Sequence, residues 1–182
     1  MSPEERLDAL RVDDTAGRPI DVLAFWGHRH EPDGSIGRGC LSQWWLAEFT
    51  VDGVAYATAE HWMMANKARL FGDETGLAVV LAAQTPYAAK AAGRAVKGFD
   101  ERRWRGARYA IVVEGNLHKF RQHPELADFL RRTGSRVIVE ASPYDRIWGI
   151  GLAAEHEDVN RPSRWKGLNL LGFALMDVRE RL

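Results

Sequence analysis

The chain of 182 residues has a single cysteine, Cys40, and no excess of charge, its 25 basic side chains being matched by 25 acidic ones. A lone cysteine forms no intrachain disulfide, so the expected compartment is one that keeps thiols reduced, the cytoplasm. Zero net charge argues against a protein that coats DNA or a membrane surface, because such binding draws on a broad positive field. No stretch approaches the roughly 20 apolar residues of a membrane span. The opening MSPEERLDALRVDD is acidic and lacks the basic start and apolar run of an export signal. Also missing are an H-E-x-x-H pair, a P-loop, a G-x-G-x-x-G turn after a strand and a G-x-S-x-G elbow. His28 and His30 have no neighbouring ligand pair, so no metal and no cofactor is expected. Cys40, between Gly39 and Leu41, has no positioned histidine to make it a nucleophile.

What the chain does have is enough apolar content, 46%, to bury one core, and seven tryptophans: Trp26, Trp44, Trp45, Trp62, Trp104, Trp148 and Trp165. Most lie beside glycines or charges rather than in aliphatic runs. Residues 1–20 show little apolar periodicity and read as a loosely ordered acidic arm ahead of a domain over 21–182. Residues 22–26 read as a strand, and Asp52-Gly53 between 46–51 and 54–58 marks a two-residue hairpin. Thr58 caps a helix that ends before Gly72, and a second short one covers 77–83. Thr85-Pro86 starts a third running to Gly98. Asp100 starts a long one to about 122, Pro124 another to about 134, and a last begins near 168, with a strand over 136–141 between. The expected class is α+β, one compact domain, mostly helical with a small β-sheet that includes the hairpin.

Three constellations carry chemistry. Glu60, Met63, Met64 and Lys67 share one face of the helix after Thr58, with two turns, roughly 10 Å, between the charges. A surface acid complementing the helix dipole is the plain reading of Glu60; the other is a carboxylate and an ammonium serving two ends of one small ligand. Lys90, Arg94 and Lys97 follow at i, i+4 and i+7, then Arg102, Arg103, Arg105 and Arg108 around Trp104. Such a stripe is either a solvated face or a phosphate site, since like charges repel unless an anion lies among them. Trp104 either packs inward or offers a stacking surface. Finally, the loop after the late strand holds Asp145, a turn-former or a second functional carboxylate, three residues before Trp148. Neutrality is thus a sum: the front holds Glu4, Glu5, Asp8, Asp13, Asp14 and Asp21 against three arginines, whereas 90–108 holds seven basic residues against Asp100 and Glu101.

Taken in order, these segments resemble the NADAR family, the YbiA-like N-glycosidases, over about 25–179. The resemblance is carried by Ala59-Glu60-His61-Trp62 with Asn66-Lys67, Gly93-Arg94 with Lys97 and Trp104, and Phe120-Arg121-Gln122 through Leu126, Leu130, Thr133 and Gly134. It continues through Glu140-Ala141-Ser142, Asp145 and Trp148-Gly149-Ile150-Gly151 to Gly167-Leu168-Asn169-Leu170-Leu171-Gly172 and Leu175-Met176 with Arg179. Leu41-Ser42-Gln43-Trp44-Trp45 stands where many members carry Phe-Ser-Asn-Phe, a change that bears on base or sugar choice rather than on reaction type.

The resemblance implies hydrolysis of the N-glycosidic bond of phosphoribosyl-aminopyrimidines, intermediates of riboflavin synthesis, to ribose 5-phosphate and base. Removal of ADP-ribose from guanine in nucleic acid is the alternative it allows, and a non-catalytic ADP-ribose or nucleotide-binding module is a third. The partner is accordingly a small phosphoribosyl or ADP-ribosyl substrate, with ADP-ribosylated nucleic acid as the macromolecular option. Breaking a glycosyl C–N bond builds positive charge on the sugar, which a carboxylate stabilises. Glu60 takes that role, with Asp145 orienting water or sugar hydroxyls. Lys67, Arg94 and Lys97 hold the phosphate and Trp104 and Trp148 enclose the base. Ser42, Gln43, Gly149 and Asn169 complete the binding set.

Overall fold

The computed structural model describes residues 1–182. In chain order the elements are α1 (Pro3–Thr15), β1 (Val22–Phe25), β2 (Phe49–Val51), β3 (Val54–Tyr56), α2 (Ala59–Phe71), α3 (Glu74–Ala82), α4 (Pro86–Arg94), α5 (Glu101–Gln122), α6 (Pro124–Arg132), β4 (Val137–Glu140) and α7 (Leu170–Arg179). Short 3-10 turns occupy Arg38–Leu41 and Pro162–Arg164. The α+β class expected from sequence is therefore met, with seven α-helices, two two-stranded sheets and the hairpin inside 46–58. Two compact units are distinguished within it, Met1–Ser42 with Glu125–Arg181, and Gln43–Pro124 with Leu182.

In the first unit β1 and β4 pair in parallel, Val22 opposite Val137 and Phe25 opposite Glu140. Leu23, Phe25, Ile138 and Val139 are buried, and α7 packs on β4 with Leu171, Leu175 and Val178 inward. The loops that follow β1 and β4 leave from the same, C-terminal, ends of a parallel pair, where ligands are commonly bound in α/β proteins.

The acidic N-terminus is not the loose arm expected from its weak periodicity. It is helix α1, closed by a capping box in which Ser2 and Glu5 satisfy each other's backbone N–H groups, with Pro3 in its first turn. Few of its residues are apolar, and Leu7 alone is buried, so polar contacts do the anchoring. Arg6 donates to Asp177 at 2.9 Å and to the Phe173 carbonyl at 3.3 Å, and Asp14 accepts from the Ser163 hydroxyl and, at 3.0 Å, from its N–H. Those bonds pull the Asp14 carboxyl below its ordinary range, led by the Ser163 hydroxyl.

In the second unit α2 packs against α3, α4 and α5. Thr58 accepts from the His61 N–H and Gly72 closes the helix at φ 70°, as their chemistry requires. Asp52 and Gly53, at φ 50° and 78°, make the hairpin turn that only such residues adopt easily. Two boundaries differ from the sequence reading. Asp73 caps α3 three residues early, its Oδ1 accepting from Gly76 at 2.9 Å. And α4 stops at Arg94, because Val96 turns inward and is buried beyond the Ala95 cap.

The α2–α5 contact turns on Gly115. A methyl group there would overlap Cδ1 of Trp62, whose indole N–H is held by the Ile111 carbonyl at 2.8 Å. Gly→Ala inside a helix ordinarily stabilises by about 1 kcal/mol. Here Gly115→Ala is expected to destabilise by about 1–3 kcal/mol through overpacking. Urea unfolding checks it: a midpoint equal to or above the parent's contradicts the packing argument.

Candidate functional site

Glu60 is the second residue of α2 and only 3% exposed, so it is no surface acid. The helix's positive end favours its charge, and its N–H donates to the Gln43 carbonyl at 3.0 Å. That bond fixes Gln43 beside the helix start. The Gln43 side chain is buried too: its Oε1 accepts from Asn116 Nδ2 at 2.7 Å, which also donates to the Val112 carbonyl at 2.9 Å. Gln43 Nε2 and Asn116 Oδ1 are buried without hydrogen bonds, an unusual condition for amide groups. Nothing local in α5 distinguishes Asn116 in the sequence. Next along α2, His61 bridges Thr58 at 2.8 Å and the Ala83 carbonyl at 3.1 Å. A carbonyl only accepts, so Nε2 carries the proton and Nδ1 takes the Thr58 hydroxyl. Burial lowers the imidazole's pKa in keeping with that neutral form.

Met63 and Met64 are buried between Glu60 and Lys67, so the mixed face is an inward one. Lys67 is half-buried, its Nζ donating to the Gly93 carbonyl at 2.8 Å and lying 4.3 Å from the Phe99 ring centre and 5.6 Å from that of Trp104. Burial pulls its pKa down, against which Glu101 acts, while Arg94 adds to the fall. Trp104 is buried at 8% exposure, so it packs inward from α5 and presents its ring to the lysine.

The basic stripe divides. Lys90 and Arg94 line a cleft of about 300 Å³ together with Trp44 and Tyr87, Lys90 Nζ standing 5.6 Å from the Trp44 ring centre. Lys97 lies beyond the end of α4, and its backbone N–H donates to Asp73 Oδ2 at 2.9 Å, so the expected three-cation helix face does not form. Two aromatic rings replace the third cation. Of the arginines on α5, Arg105 faces Glu101 at 3.7 Å and Arg108 is buried.

In the other unit the loop after β4 is knitted by its own polar groups. Asp145 Oδ1 accepts from the N–H groups of Ile147 and Trp148, each at 2.8 Å, and the Ser142 hydroxyl accepts from the Asp145 N–H at 3.2 Å. Asp145 thus closes the turn with its first oxygen. Trp148 is half-buried and its carbonyl accepts from Leu171 at 3.1 Å. Gly149 is set so close to the Glu140 carbonyl that a Cβ would stand 2.7 Å from it. Asn169 is wholly buried, its amide bonded to the backbone of β4. Ser42 ends the 3-10 turn, its N–H on the Gly39 carbonyl at 3.0 Å. Glu60, Gln43, Lys67, Arg94 and Trp104 thus belong to one unit, and Ser42, Asp145, Trp148, Gly149 and Asn169 to the other.

A family model described as NADAR domain matches residues 24–182. N-glycosidase R617 of Acanthamoeba polyphaga mimivirus is 43% identical over 146 residues, covering 77% of this chain and 85% of that protein. N-glycosidase Npun_R5314 of Nostoc punctiforme is 33% identical over 79% of this chain and 85% of its own length. N-glycosidase YbiA of Escherichia coli is 30% identical over 72% and 74%. The NMR structure of the E. coli protein YbiA matches with a TM-score of 0.70 at 26% identity, over 90% of this chain and 85% of that one.

Proposed function

The chain belongs to the NADAR family and shares its N-glycosidase chemistry, and from that premise we propose that the bond it hydrolyses is the C–N glycosidic bond of a phosphoribosyl-aminopyrimidine of riboflavin synthesis. The observation that carries this reading is the burial of Glu60 at the start of α2, in the same unit as the Lys90–Arg94 cleft. Carboxylates are seldom buried for stability alone. A buried one at a helix start is suited to a sugar that becomes cationic as its C–N bond lengthens.

In the reaction water adds its oxygen to the anomeric carbon, the C–N electron pair leaves with the base, and the water's proton passes to Glu60 and on to the departing nitrogen. Arg94 and Lys90 hold the 5′-phosphate, Lys90 in the place expected for Lys97. Trp44 and Tyr87 supply ring surfaces there, since Trp104 packs inward. Lys67 adds positive charge near Arg94, and Gln43 offers its amide donor to the sugar. Asp145, Trp148, Gly149, Ser42 and Asn169 act by shaping the loops of the other unit.

Two assays test this. The protein is incubated in parallel with the phosphoribosyl-aminopyrimidine and with DNA carrying ADP-ribosylated guanine. Release of ribose 5-phosphate from the first is expected, and release of ADP-ribose alone would replace this reading by the nucleic-acid one. Arg94→Ala is expected to raise KM at least tenfold for the phosphorylated substrate, the equivalent of about 1.4 kcal/mol of charge-assisted contact. The dephosphorylated nucleoside should be little affected, and equal losses on both would reject the phosphate assignment.

A further inference from the structure

The loop that follows β1 borders a second cleft, of about 650 Å³, whose walls include Trp26, His28, Arg29, His30, Glu31 and Arg38. None of these residues has a part in the bond cleavage described above. Trp26 is 63% exposed. An indole this open on a cavity wall gains little by burial, so a ligand ring is the natural occupant of its face.

The wall is built, not slack. Gly27, at φ 80°, turns the chain directly after Trp26. Glu31 accepts from Gly34 at 2.9 Å and donates to the Ser35 carbonyl at 3.1 Å, and Asp33 Oδ1 accepts from the Ser35 N–H at 2.9 Å. Gly37 and Gly39 let the loop lie directly on the 3-10 turn, since a Cβ at the one would overlap Glu31 and at the other the Arg29 carbonyl. Arg38 is pinned by its Nη1 to the Ala24 carbonyl at 3.0 Å, which holds a guanidinium at the end of β1.

Two guanidiniums and two imidazoles around an open indole, with the carboxylates of Glu31 and Glu155 on the same walls, define a ligand with three parts. It has a flat ring for Trp26, an anion for Arg29 and Arg38, and hydroxyl or amino donors for the carboxylates. The volume is that of a small-molecule site. We propose that this cleft binds a nucleoside 5′-monophosphate, the base stacked on Trp26, the phosphate on Arg29 and Arg38, and the ribose hydroxyls toward the carboxylates. The site is additional to the glycosidic one and stands whether or not that reading does.

Isothermal titration of the whole protein with AMP, adenosine and inorganic phosphate tests it. AMP is expected to bind one to one, and adenosine and phosphate each at least tenfold more weakly. Trp26→Ala should weaken AMP at least tenfold, the scale of one lost stacking contact. Arg29→Ala should weaken AMP but leave adenosine unchanged, while Arg94→Ala and Glu60→Gln leave AMP as it was. Both wall residues are exposed, so circular dichroism and Tm should match the parent and show that the fold is intact. Absence of AMP binding, full AMP affinity in Trp26→Ala, or a loss in Arg94→Ala as large as that in Trp26→Ala would overturn the proposal. The last outcome would put the nucleotide in the Lys90–Arg94 cleft. Because the titration reads no turnover, it fails or succeeds independently of the glycosidase assays.

Discussion

Glu60→Gln is expected to lower kcat by about 10²–10⁴-fold with KM little changed, the range lost when a group that acts on transition-state charge or protons is removed. The substitution exchanges one carboxylate oxygen for an amide of the same shape, so the packing of a residue only 3% exposed is kept. The melting temperature should therefore change little. A structural Glu60 predicts the reverse, a destabilised protein that turns over normally. In the proposed reading ground-state binding rests on Arg94, Lys90 and the rings that line their cleft, and the loss should therefore fall on kcat. Single-turnover release of ribose 5-phosphate separates the cases, and near-parental rates in Glu60→Gln would remove this carboxylate from the mechanism.

Much of the fold was legible because its boundaries are written in local chemistry. Thr58 and Gly72, Thr85-Pro86, Asp100 and the Asp52-Gly53 turn each satisfy a backbone demand that few other residues meet, and the elements begin or end there. Helix α1 was missed because it lacks the stripe that tertiary packing usually imprints on a sequence; its anchors, Asp177, the Phe173 carbonyl and Ser163, are about 150 residues or more away along the chain. The end of α4 was overrun for a related reason. Gly98 is a proper helix stop, but the inward pull on Val96 acts first, and it arises only once the unit has packed.

The site divides along the same line. Residue types and spacing singled out Glu60 and Arg94, yet spacing does not tell a buried carboxylate from a dipole-complementing one, because both occupy the first turn of a helix. The ring partners of the basic cleft, Trp44 and Tyr87, come from separate segments and share no periodicity with Lys90 and Arg94 in the case of Trp44. The tryptophans resolve in the structure into distinct uses. Trp62 and Trp165 bond the carbonyls of Ile111 and Val159, Trp45 is buried, Trp104 backs Lys67, and Trp26 and Trp44 line clefts.

Asn169→Ala is expected to cost about 3–6 kcal/mol of stability, most of it from two backbone groups left unsatisfied in the interior at about 1–3 kcal/mol each. The argument starts from the edge of β4. Residues 137 and 141 direct their N–H groups to β1, onto the carbonyls of Asp21 at 2.9 Å and Phe25 at 2.8 Å, so the intervening Ile138 carbonyl and Glu140 N–H point the other way. Asn169 meets both, its Nδ2 donating to the Ile138 carbonyl at 2.9 Å and its Oδ1 accepting from the Glu140 N–H at 3.1 Å, as an adjacent strand would. The residue is at φ 54°, ψ 33°, a left-handed conformation that asparagine tolerates and alanine enters at a cost of roughly 1–2 kcal/mol. Asn169→Gly loses the same two bonds without that strain and should be less destabilised than Asn169→Ala by about 1 kcal/mol. Helix α7 lies directly on the strand here, since a Cβ at Gly172 would overlap the Ile138 carbonyl, so water has little room to replace the amide. At about 2–4 °C per kcal/mol for a chain of this size, the alanine variant should melt roughly 6–24 °C lower. An Asn169→Ala protein that melts with the parent yet binds substrate poorly would assign the amide to the ligand rather than to the strand.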